Sequence, residues 1–419
     1  MSKVEIARDL HLQNLAANMH NGLIKVVTGI RRCGKSYLLN KIFYDYLRST
    51  GVDDAHIVRV DLEDRRLAEL RQPDNLIAYI DSRMTDNGMY YILLDEVQRV
   101  ADFEEVLNSY LSIDNADVYA SGSNSQFLSR DLVSTFRGRS VQIRMAPLSF
   151  SEFCSVRVGD AYALLHEYML YGGMPQAVAM QDETQRQQYL KELVDNVYLK
   201  DVKERYGIER DAAFVQLVNV IASNIGGLTN AKKIERTFQS RLGVPITDDT
   251  IRNYLQMLED AFLISPAVRY NIKGKKHINT PLKFYFSDLG LRNARLNFRQ
   301  VEYLHLMENC IYNELCQRGL SVDVGEVRTV TRVQGAARRE TLEVDFVCNL
   351  GYKRCYIQSA YALPSEEKRV QEIRSLQMIG DSFQKIVIVG TPTPTYQTEE
   401  GIVVMSVYDF LSNHDSLSL

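Results

Sequence analysis

Hydrophobic and polar positions near the amino end of the chain predict a strand, a loop and a helix in succession. Ile24–Val27 predicts a buried strand, and Gly29–Ser36 predicts a polar loop. The helix from Tyr37 onward has apolar residues at positions 38, 39, 42, 43, 46 and 47, the spacing of one buried helix face. Five bulky residues in succession, Tyr90–Leu94, predict a parallel strand that is buried on both faces. These elements indicate an α/β domain built around a parallel sheet.

The middle of the chain predicts helices followed by a β-hairpin. Residues 150–206 indicate short helices, which the stretch 172–175 interrupts with two glycines and a proline. Three longer helices are predicted next, within residues 212–227, 228–243 and 246–264. Two strands follow, at 263–270 and 282–287, on either side of a basic turn at 273–276. Three helices and a hairpin in this order predict a winged helix-turn-helix.

The last third of the chain predicts a mixed α/β domain. Helices are expected at 300–320 and 365–379, and strands at 321–333, 341–349, 353–359 and 384–390. Cys348 and Cys355 lie at the two sides of the second hairpin in this region. A disulfide between them is an alternative to the reduced thiols that a cytosolic protein keeps, and the compartment favours thiols.

Composition indicates the class of protein. The 419 residues are 45% hydrophobic and 24% charged, which is typical of a globular chain of roughly two to four domains. The formal net charge of −4 gives no overall attraction to nucleic acid, so any DNA contact depends on local patches. The chain begins without an apolar signal-peptide core, and no run reaches the length of a membrane span. We therefore expect a soluble, cytoplasmic protein without a membrane partner.

The predicted loop matches the phosphate-binding pattern G-x-x-x-x-G-K-[ST]. Its glycines let backbone N–H groups converge on phosphate oxygens at the N-terminus of a helix. Lys35 is expected to reach the β- and γ-phosphates, and the Ser36 hydroxyl is expected to ligate Mg²⁺. The sequence therefore predicts ATP and Mg²⁺ as cofactors. The residues predicted to contact ATP are Gly29, Ile30, Arg31, Arg32, Cys33, Gly34, Lys35, Ser36 and Tyr37.

Two carboxylates, Asp95 and Glu96, follow the buried strand at its carboxyl end. Ligands bind at this edge of open α/β sheets. Asp95 is expected to hold the Mg²⁺ shell together with Ser36, and Glu96 is expected to polarise the attacking water. The pair therefore favours hydrolysis over passive binding. The alternative is a pair of acidic residues that only begins a helix.

A third predicted strand, Val118–Ala120, ends in polar residues. Ser123 or Asn124 is the candidate for sensing the γ-phosphate of ATP. Arg137 and Arg139 precede the next strand, and an arginine there can be supplied to the nucleotide of a neighbouring subunit. Arg139 is the catalytic candidate, and a homo-oligomer is the partner that this role implies. A solvated arginine is an equally good interpretation.

A series of motifs, some generic to phosphate-binding loops and some more specific, extends along the chain: TGIRRCGKS, YILLDE, SGSNSQFLS, the FRGR–PLSFSEF run and YGGMPQAV. Together they resemble the prokaryotic AAA+-type ATPases that carry a C-terminal domain of unknown function. The resemblance covers nearly the whole chain and implies four parts but no settled substrate. These are an ATPase core (1–150), a helical lid (151–206), a winged helix-turn-helix (207–295) and a nuclease-like domain (296–419).

The element order in the last third is similar to the PD-(D/E)xK nuclease fold. In that fold a glutamate, an aspartate and an (E/Q)-x-K pair bind one or two metal ions. The matching residues here are Glu308 or Glu314, Asp345 and Gln358. Ala360 stands where the lysine would be, and Lys353 and Lys385 on nearby strands are the candidates to replace it. We therefore expect a degenerate site that binds metal only weakly, through Asp345, Gln358 and Glu314.

These features predict a Mg²⁺-dependent, AAA+-like ATPase whose nucleotide cycle moves its C-terminal domains. DNA binding stays open, because the predicted recognition helix presents Asp248 and Asp249 to any phosphate. Lys232, Lys233 and Arg236 argue weakly in the other direction. Two alternatives remain: a nucleotide-dependent switch or interaction module with little hydrolysis, and an ATP-regulated nuclease.

Overall fold

The computed structural model describes residues 5–122, 136, 138–209, 211–333 and 336–417. The chain divides into two compact units, Met1–Pro147 and Leu148–Leu419. The predicted sensor residues Ser123 and Asn124, and Arg137, lie outside the described residues. The finer division of the second unit into lid, winged helix and nuclease-like domain stays a prediction.

The first unit contains a five-stranded sheet in the order β2-β3-β4-β1-β5 among its described residues, and all of its neighbouring strands are parallel. The strands are β1 (Ile24–Thr28), β2 (Ile57–Asp61), β3 (Tyr90–Asp95), β4 (Ala116–Ser121) and β5 (Ser140–Arg144). Every residue of β1 and β3 is buried, whereas β2 exposes alternate positions. That difference is expected for a strand at the sheet edge, which has a neighbour on one side only.

Helices cover this sheet, and the helix that follows the phosphate loop contains a π-helical segment. The α-helices are Asp9–Ala17, Lys35–Tyr37, Tyr44–Ser49, Pro73–Arg83 and Phe103–Ser109, and the π-helical segment is Leu38–Phe43. Short 3₁₀ turns lie at Asp54–His56, Arg65–Arg71, Val97–Arg99 and Tyr110–Ser112. The apolar faces of these helices and the sheet form one core, in which Ile92, Leu94 and Val26 are fully buried.

A buried ion pair joins two neighbouring inner strands of the first unit, β1 and β4. Lys25 of β1 and Asp117 of β4 are in contact, and both are buried. The carboxylate of Asp117 also accepts hydrogen bonds from the Tyr119 hydroxyl at 2.7 Å and from the backbone N–H of His20 at 3.1 Å. Asp117 balances the charge of Lys25 and is itself hydrogen-bonded, so a buried lysine is tolerated within a strand that is otherwise apolar.

The second unit combines helices with a large mixed sheet. Its α-helices are Phe150–Cys154, Ala161–Tyr171, Pro175–Ala179, Glu183–Glu192, Lys200–Tyr206, Asp211–Ser223, Ala231–Thr237, Asp248–Asp260, Leu289–Arg295, Tyr303–Gln317, Glu366–Gln377 and Val407–Ser412. Two π-helical segments, Leu193–Leu199 and Phe238–Leu242, continue the helices before them. Several of the helices begin at a side-chain cap, and Ser149 forms a reciprocal capping box with Glu152.

The sheet of the second unit has eight described strands in the order β12-β13-β11-β10-β9-β8-β6-β7. They are β6 (Ile264–Asn271), β7 (Lys276–Phe286), β8 (Ser321–Val333), β9 (Ala336–Leu350), β10 (Lys353–Ala360), β11 (Gln384–Val389), β12 (Tyr396–Gln397) and β13 (Val403–Ser406). The predicted hairpin is thus β6–β7, and it belongs to the same sheet as the strands of the last third. Cys348 and Cys355 lie directly opposite each other on β9 and β10 as buried free thiols.

The YGGMP segment is explained by a buried carboxylate. Asp288 caps the helix Leu289–Arg295 and accepts hydrogen bonds from the backbone N–H groups of Gly173 at 2.7 Å and Leu291 at 3.0 Å. A Cβ at Gly172, whose φ is +69°, would lie 2.3 Å from Asp288 Oδ1. A Cβ at Gly173 would lie 2.2 Å from the carbonyl oxygen of Leu148. Close packing therefore requires glycine at both positions, against Asp288 at Gly172 and against the Leu148 backbone at Gly173.

Within the described part of the chain, no helix has both the length and the apolar character needed to cross a membrane.

Candidate functional site

The phosphate loop adopts a conformation that only glycine allows at two of its positions. Gly29 has a φ of +143°, and a Cβ there would lie 2.1 Å from the carbonyl oxygen of Met145. Gly34 has a φ of +105° and stands directly before the helix that begins at Lys35. The loop therefore turns tightly from the end of β1 into a helix N-terminus, where backbone N–H groups favour anions.

Lys35 points its ammonium group back into this loop. Its Nζ donates hydrogen bonds to the carbonyl oxygens of Gly29 at 3.0 Å and Ile30 at 3.2 Å, and the residue is buried. A lysine that is held by the loop's own carbonyls is ready to exchange them for phosphate oxygens, which carry full charge. The donor set fits the phosphate groups of a nucleotide.

Asp95 lies at the end of β3 with both carboxylate oxygens engaged. Ser121 at the end of β4 donates to Oδ1, and Asn40 Nδ2 donates to Oδ2 at 3.3 Å. The Ser36 hydroxyl lies close enough to this carboxylate to affect its ionisation. Burial raises the pKa of Asp95, although the Ser121 and Ser36 hydroxyls oppose the rise. A hydroxyl and a carboxylate side by side are the hard oxygen ligands that Mg²⁺ prefers.

Glu96 directly follows, with a left-handed backbone at φ +54°. Its N–H donates to Ser121 Oγ at 3.3 Å, so one serine contacts both members of the acidic pair. The Glu96 carboxylate accepts a hydrogen bond from the side-chain amide of Gln98. Lys35, Ser36, Asp95 and Glu96, predicted from separate motifs, are thus gathered at one edge of the sheet.

The remaining predicted residues of the loop differ in their exposure. Ile30 and Cys33 are buried, and Cys33 Sγ lies 3.6 Å from the carbonyl oxygen of Met145. Arg31 is half-buried, whereas Arg32 and Tyr37 are exposed. The side chains of Ile30 and Cys33 therefore pack inside the protein rather than facing the nucleotide site.

Arg139 lies away from these groups. It is exposed and directly precedes β5, and its carbonyl oxygen accepts the N–H of Ile24 at 3.0 Å. β5 runs parallel to β1, so the amino ends of the two strands lie side by side. The phosphate loop follows the carboxyl end of β1, at the other end of the strands. Arg139 is therefore not brought to the nucleotide site of its own chain.

Three residues of the site were missed by the motif analysis. Ser121 and Asn40 hold Asp95, and Arg8 donates to the carbonyl oxygens of Cys33 at 3.1 Å and Ala146 at 2.7 Å. Ser121 belongs to the polar end of β4 and could have been chosen in place of its neighbours. Nothing in the sequence marks Arg8, because it lies far from the loop along the chain.

The chain matches two family models and is similar to a protein of Haemophilus influenzae along nearly its whole length. A family model described as an AAA domain matches residues 21–154, and one for a domain of unknown function (DUF8612) matches residues 162–302. An uncharacterized protein of Haemophilus influenzae is 33% identical over 418 residues, which are 98% of this chain and 100% of that protein. The chain belongs to the same family as this Haemophilus protein.

Two further similarities are more distant. The uncharacterized protein MJ1544 of Methanocaldococcus jannaschii is 26% identical over 391 residues, covering 90% of this chain and 83% of that protein. Among solved structures, the Aeropyrum pernix ORC1 protein in complex with DNA matches with 13% identity and a TM-score of 0.31, over 70% of this chain and 93% of that one. The AAA-domain match over residues 21–154 supports an AAA-type P-loop domain in the first unit of this chain.

A second group of ionisable residues lies in the second unit of this family member. Glu308 on the helix Tyr303–Gln317, with Glu343 and Asp345 on β9, surrounds the ammonium group of Lys283 on β7, and we call these three acidic residues the carboxylate cluster. The Lys283 Nζ lies 2.8 Å from Glu308 Oε1, 2.8 Å from Glu343 Oε1 and 3.6 Å from Asp345 Oδ1. Burial and the neighbouring Glu308 raise the pKa of Asp345 to about 7, although Lys283 opposes the rise.

The predicted metal ligands of this region are only partly brought together. Gln358 donates its amide nitrogen to Asp345 Oδ2 at 3.0 Å, while its carbonyl oxygen accepts from Ser375 Oγ at 3.2 Å. Glu314 is instead paired with Arg318 at 2.8 Å on its own helix. No group of three or more His, Cys, Asp or Glu residues in the described chain is arranged to hold a metal ion. Metal binding by Asp345, Gln358 and Glu314 stays a prediction.

Proposed function

We propose that the chain is a Mg²⁺-dependent ATPase. The observation that carries the proposal is the contact of Ser36 and Ser121 with Asp95, next to the phosphate loop that holds Lys35. Lys35 and the loop N–H groups bind the phosphates, and Ser36 and Asp95 hold Mg²⁺, which when bound neutralises phosphate charge. Glu96, fixed through its N–H by Ser121, orients the attacking water and accepts its proton.

Two substitutions separate binding from hydrolysis. We expect Lys35→Ala to lose ATP binding, because the ammonium contact to the β- and γ-phosphates is removed. We expect Glu96→Gln to bind ATP with near wild-type affinity but to release phosphate about 10²–10⁴-fold more slowly, the usual range for general-base removal. Nucleotide binding is measured with a fluorescent ATP analogue, and turnover by steady-state phosphate release.

Lys41→Ala is the matched control for these variants. Lys41 lies on the same helix, is exposed and pairs with Asp45 at 2.8 Å, so its removal leaves the site intact. Wild-type turnover in both Lys35→Ala and Glu96→Gln would overturn the proposal.

A nucleotide-dependent switch with little hydrolysis is the second candidate, and one contact favours it. The Glu96 carboxylate is engaged by the Gln98 amide, which competes with a water for the same oxygen. The phosphate-release assay separates the two candidates, since a switch binds ATP through Lys35 yet shows no steady turnover. In that case Glu96→Gln would change nothing.

We propose that the nucleotide cycle moves the helices and hairpin of a winged helix-turn-helix, together with the rest of the eight-stranded sheet to which that hairpin belongs. DNA contact by this module is supported by the exposed lysines 273, 275 and 276 at the hairpin. Against it, Arg252 on the helix Asp248–Asp260 is paired with Asp248 at 2.7 Å and Asp249 at 2.6 Å. ATPase rates with double-stranded, single-stranded and structured DNA test the link, since stimulation would tie the core to nucleic acid.

A nuclease activity regulated by ATP is less well supported. Lys283, from a strand that the motif comparison did not consider, stands among the carboxylates. Incubation of plasmid and branched DNA with Mg²⁺ or Mn²⁺ tests this alternative, and cleavage that Asp345→Ala abolishes would establish it.

A further inference from the structure

The carboxylate cluster of the second unit already contains a cation. We propose that Lys283 is the resident cation of this cluster and keeps divalent metal ions out of it. The centre then works as a closed ionic cross-link between β7, β9 and the helix Tyr303–Gln317. This inference does not depend on the ATPase activity.

The first step of the argument is the position of the ammonium group. Lys283 Nζ is within hydrogen-bond distance of one oxygen of Glu308 and one of Glu343, at 2.8 Å each, and 3.6 Å from Asp345. Ammonium carries three donors and no acceptor, so it can satisfy several carboxylates around one point. A Mg²⁺ ion at this point would also need oxygens around it, at about 2.1 Å. The two cations therefore compete for the same place.

The second step is enclosure. The side chains of Lys283 and Glu308 are 3% and 8% exposed, and that of Asp345 is 10% exposed. If the ammonium group left for water, the buried carboxylates would lose their counter-charge, so it does not leave without a compensating change. Only the Glu343 side chain, at 40% exposure, reaches the solvent. The cluster is thus closed around Lys283.

The third step is the engagement of the remaining oxygens. Glu308 Oε1 also accepts the Tyr285 hydroxyl at 2.6 Å. Asp345 Oδ2 accepts Gln358 Nε2 at 3.0 Å and the N–H of Ser359 at 2.8 Å. These partners are donors, and they orient the Glu308 and Asp345 carboxylates beside Lys283. They occupy part of the lone-pair capacity of Glu308 Oε1 and Asp345 Oδ2, so these two oxygens are less available to a metal ion.

The cross-link joins elements that lie far apart in sequence. β7 belongs to the β6–β7 hairpin, whereas Glu308 lies on the helix Tyr303–Gln317 and Asp345 on β9. Removal of one partner from a buried ion pair is costly because the other charges stay buried. Lys283 therefore fixes the hairpin to the sheet core of the second unit without help from a metal.

Mn²⁺ binding to the nucleotide-free full chain tests the proposal. An Asp95→Asn parent removes a carboxylate of the nucleotide site, and bound Mn²⁺ is followed by electron paramagnetic resonance. In this parent we expect Lys283→Met to bind Mn²⁺ about tenfold or more tightly than the parent, the size of effect that changes around metal ligands produce. Adding Asp345→Asn to Lys283→Met should abolish the gain. Lys276→Met, an exposed lysine of the same strand, should gain nothing.

A second test uses the parent chain, in which Lys283 is unchanged, and therefore does not require Lys283→Met to fold. The thermal midpoint of the parent should be equal in EDTA and in millimolar Mn²⁺, and Glu343→Gln, which removes the rim carboxylate, should lower it in both. If Lys283→Met does not fold, these measurements decide. The proposal is overturned if EDTA lowers the parent's midpoint. It is equally overturned if the parent binds Mn²⁺ and Asp345→Asn removes that binding, or if folded Lys283→Met binds no more Mn²⁺ than Lys276→Met.

Discussion

At the scale of single residues, burial sets the ionisation of Asp288, the carboxyl group that holds the YGGMP segment. Burial raises its pKa from 3.8 to about 6, against the opposing effect of backbone N–H groups, of which that of Gly173 is the strongest. The folded state therefore keeps a proton that the unfolded chain has already released between these two pH values. Stability from this group is full below pH 3.8 and falls as the pH rises through about 6.

Unfolding measured across this pH window should reveal the effect. A pKa rise from 3.8 to about 6 corresponds to about 2 kcal/mol of unfolding free energy lost between pH 4 and pH 7. The unfolding free energy of the wild type minus that of Asp288→Asn, from urea titrations at a series of pH values, should fall by that amount. A difference that is constant with pH, or that rises, would contradict the assignment.

The residue scale also shows what the sequence could predict. Lys35, Ser36, Asp95 and Glu96 were found because each belongs to a short local motif whose chemistry fixes its spacing. Lys283 was missed, since its strand was assigned to a hairpin and the last third was considered by itself. The ion pairs of Lys283 with β9 and the helix Tyr303–Gln317 join residues far apart in sequence and carry no local signal, so the residue at the centre of the carboxylate cluster could not be found from the chain alone.

At the scale of elements, two glycines with positive φ serve different purposes. Gly172 and Gly207 have φ values of +69° and +60°, but their ψ values differ, −166° and +42°. A Cβ at Gly172 would collide with the Asp288 carboxylate, whereas a Cβ at Gly207 would meet nothing within 4 Å. Most strands and helices of the second unit follow the hydrophobic pattern, but this packing between the helix Ala161–Tyr171 and the Asp288 cap is invisible to it.

The comparison of Gly172→Ala with Gly207→Ala tests how much the setting of Gly172 matters for stability. We expect Gly207→Ala to cost about 1 kcal/mol of unfolding free energy, the strain of an alanine at positive φ. The φ and ψ of Gly172 lie in a region that essentially only glycine adopts, and an alanine there would also displace Asp288. Gly172→Ala should therefore cost roughly 3 kcal/mol or more. Urea unfolding measures both, and equal losses would show that neither the backbone of Gly172 nor the Asp288 contact resists a Cβ.

At the scale of the whole molecule, the position of Arg139 bears on assembly. It is exposed and lies at the amino ends of the strands, whereas its own phosphate loop lies at their carboxyl ends. An arginine in that place can contribute only to the nucleotide site of another copy, so a role of Arg139 in hydrolysis would require a homo-oligomer. The rival interpretation is a solvated arginine that touches no nucleotide.

Mixing variants decides between these interpretations. If Arg139 acts on a neighbouring copy, Arg139→Ala should lower turnover about 10³-fold or more, as loss of an arginine finger does. Lys35→Ala is inactive by itself but still carries Arg139. Mixed with Arg139→Ala it should therefore restore part of the phosphate release, because each mixed contact pairs an intact loop with an intact arginine. Arg48→Ala, an exposed arginine that pairs only with groups near it in sequence, is the control and should keep the wild-type rate. Full activity of Arg139→Ala alone would assign that side chain to the solvent.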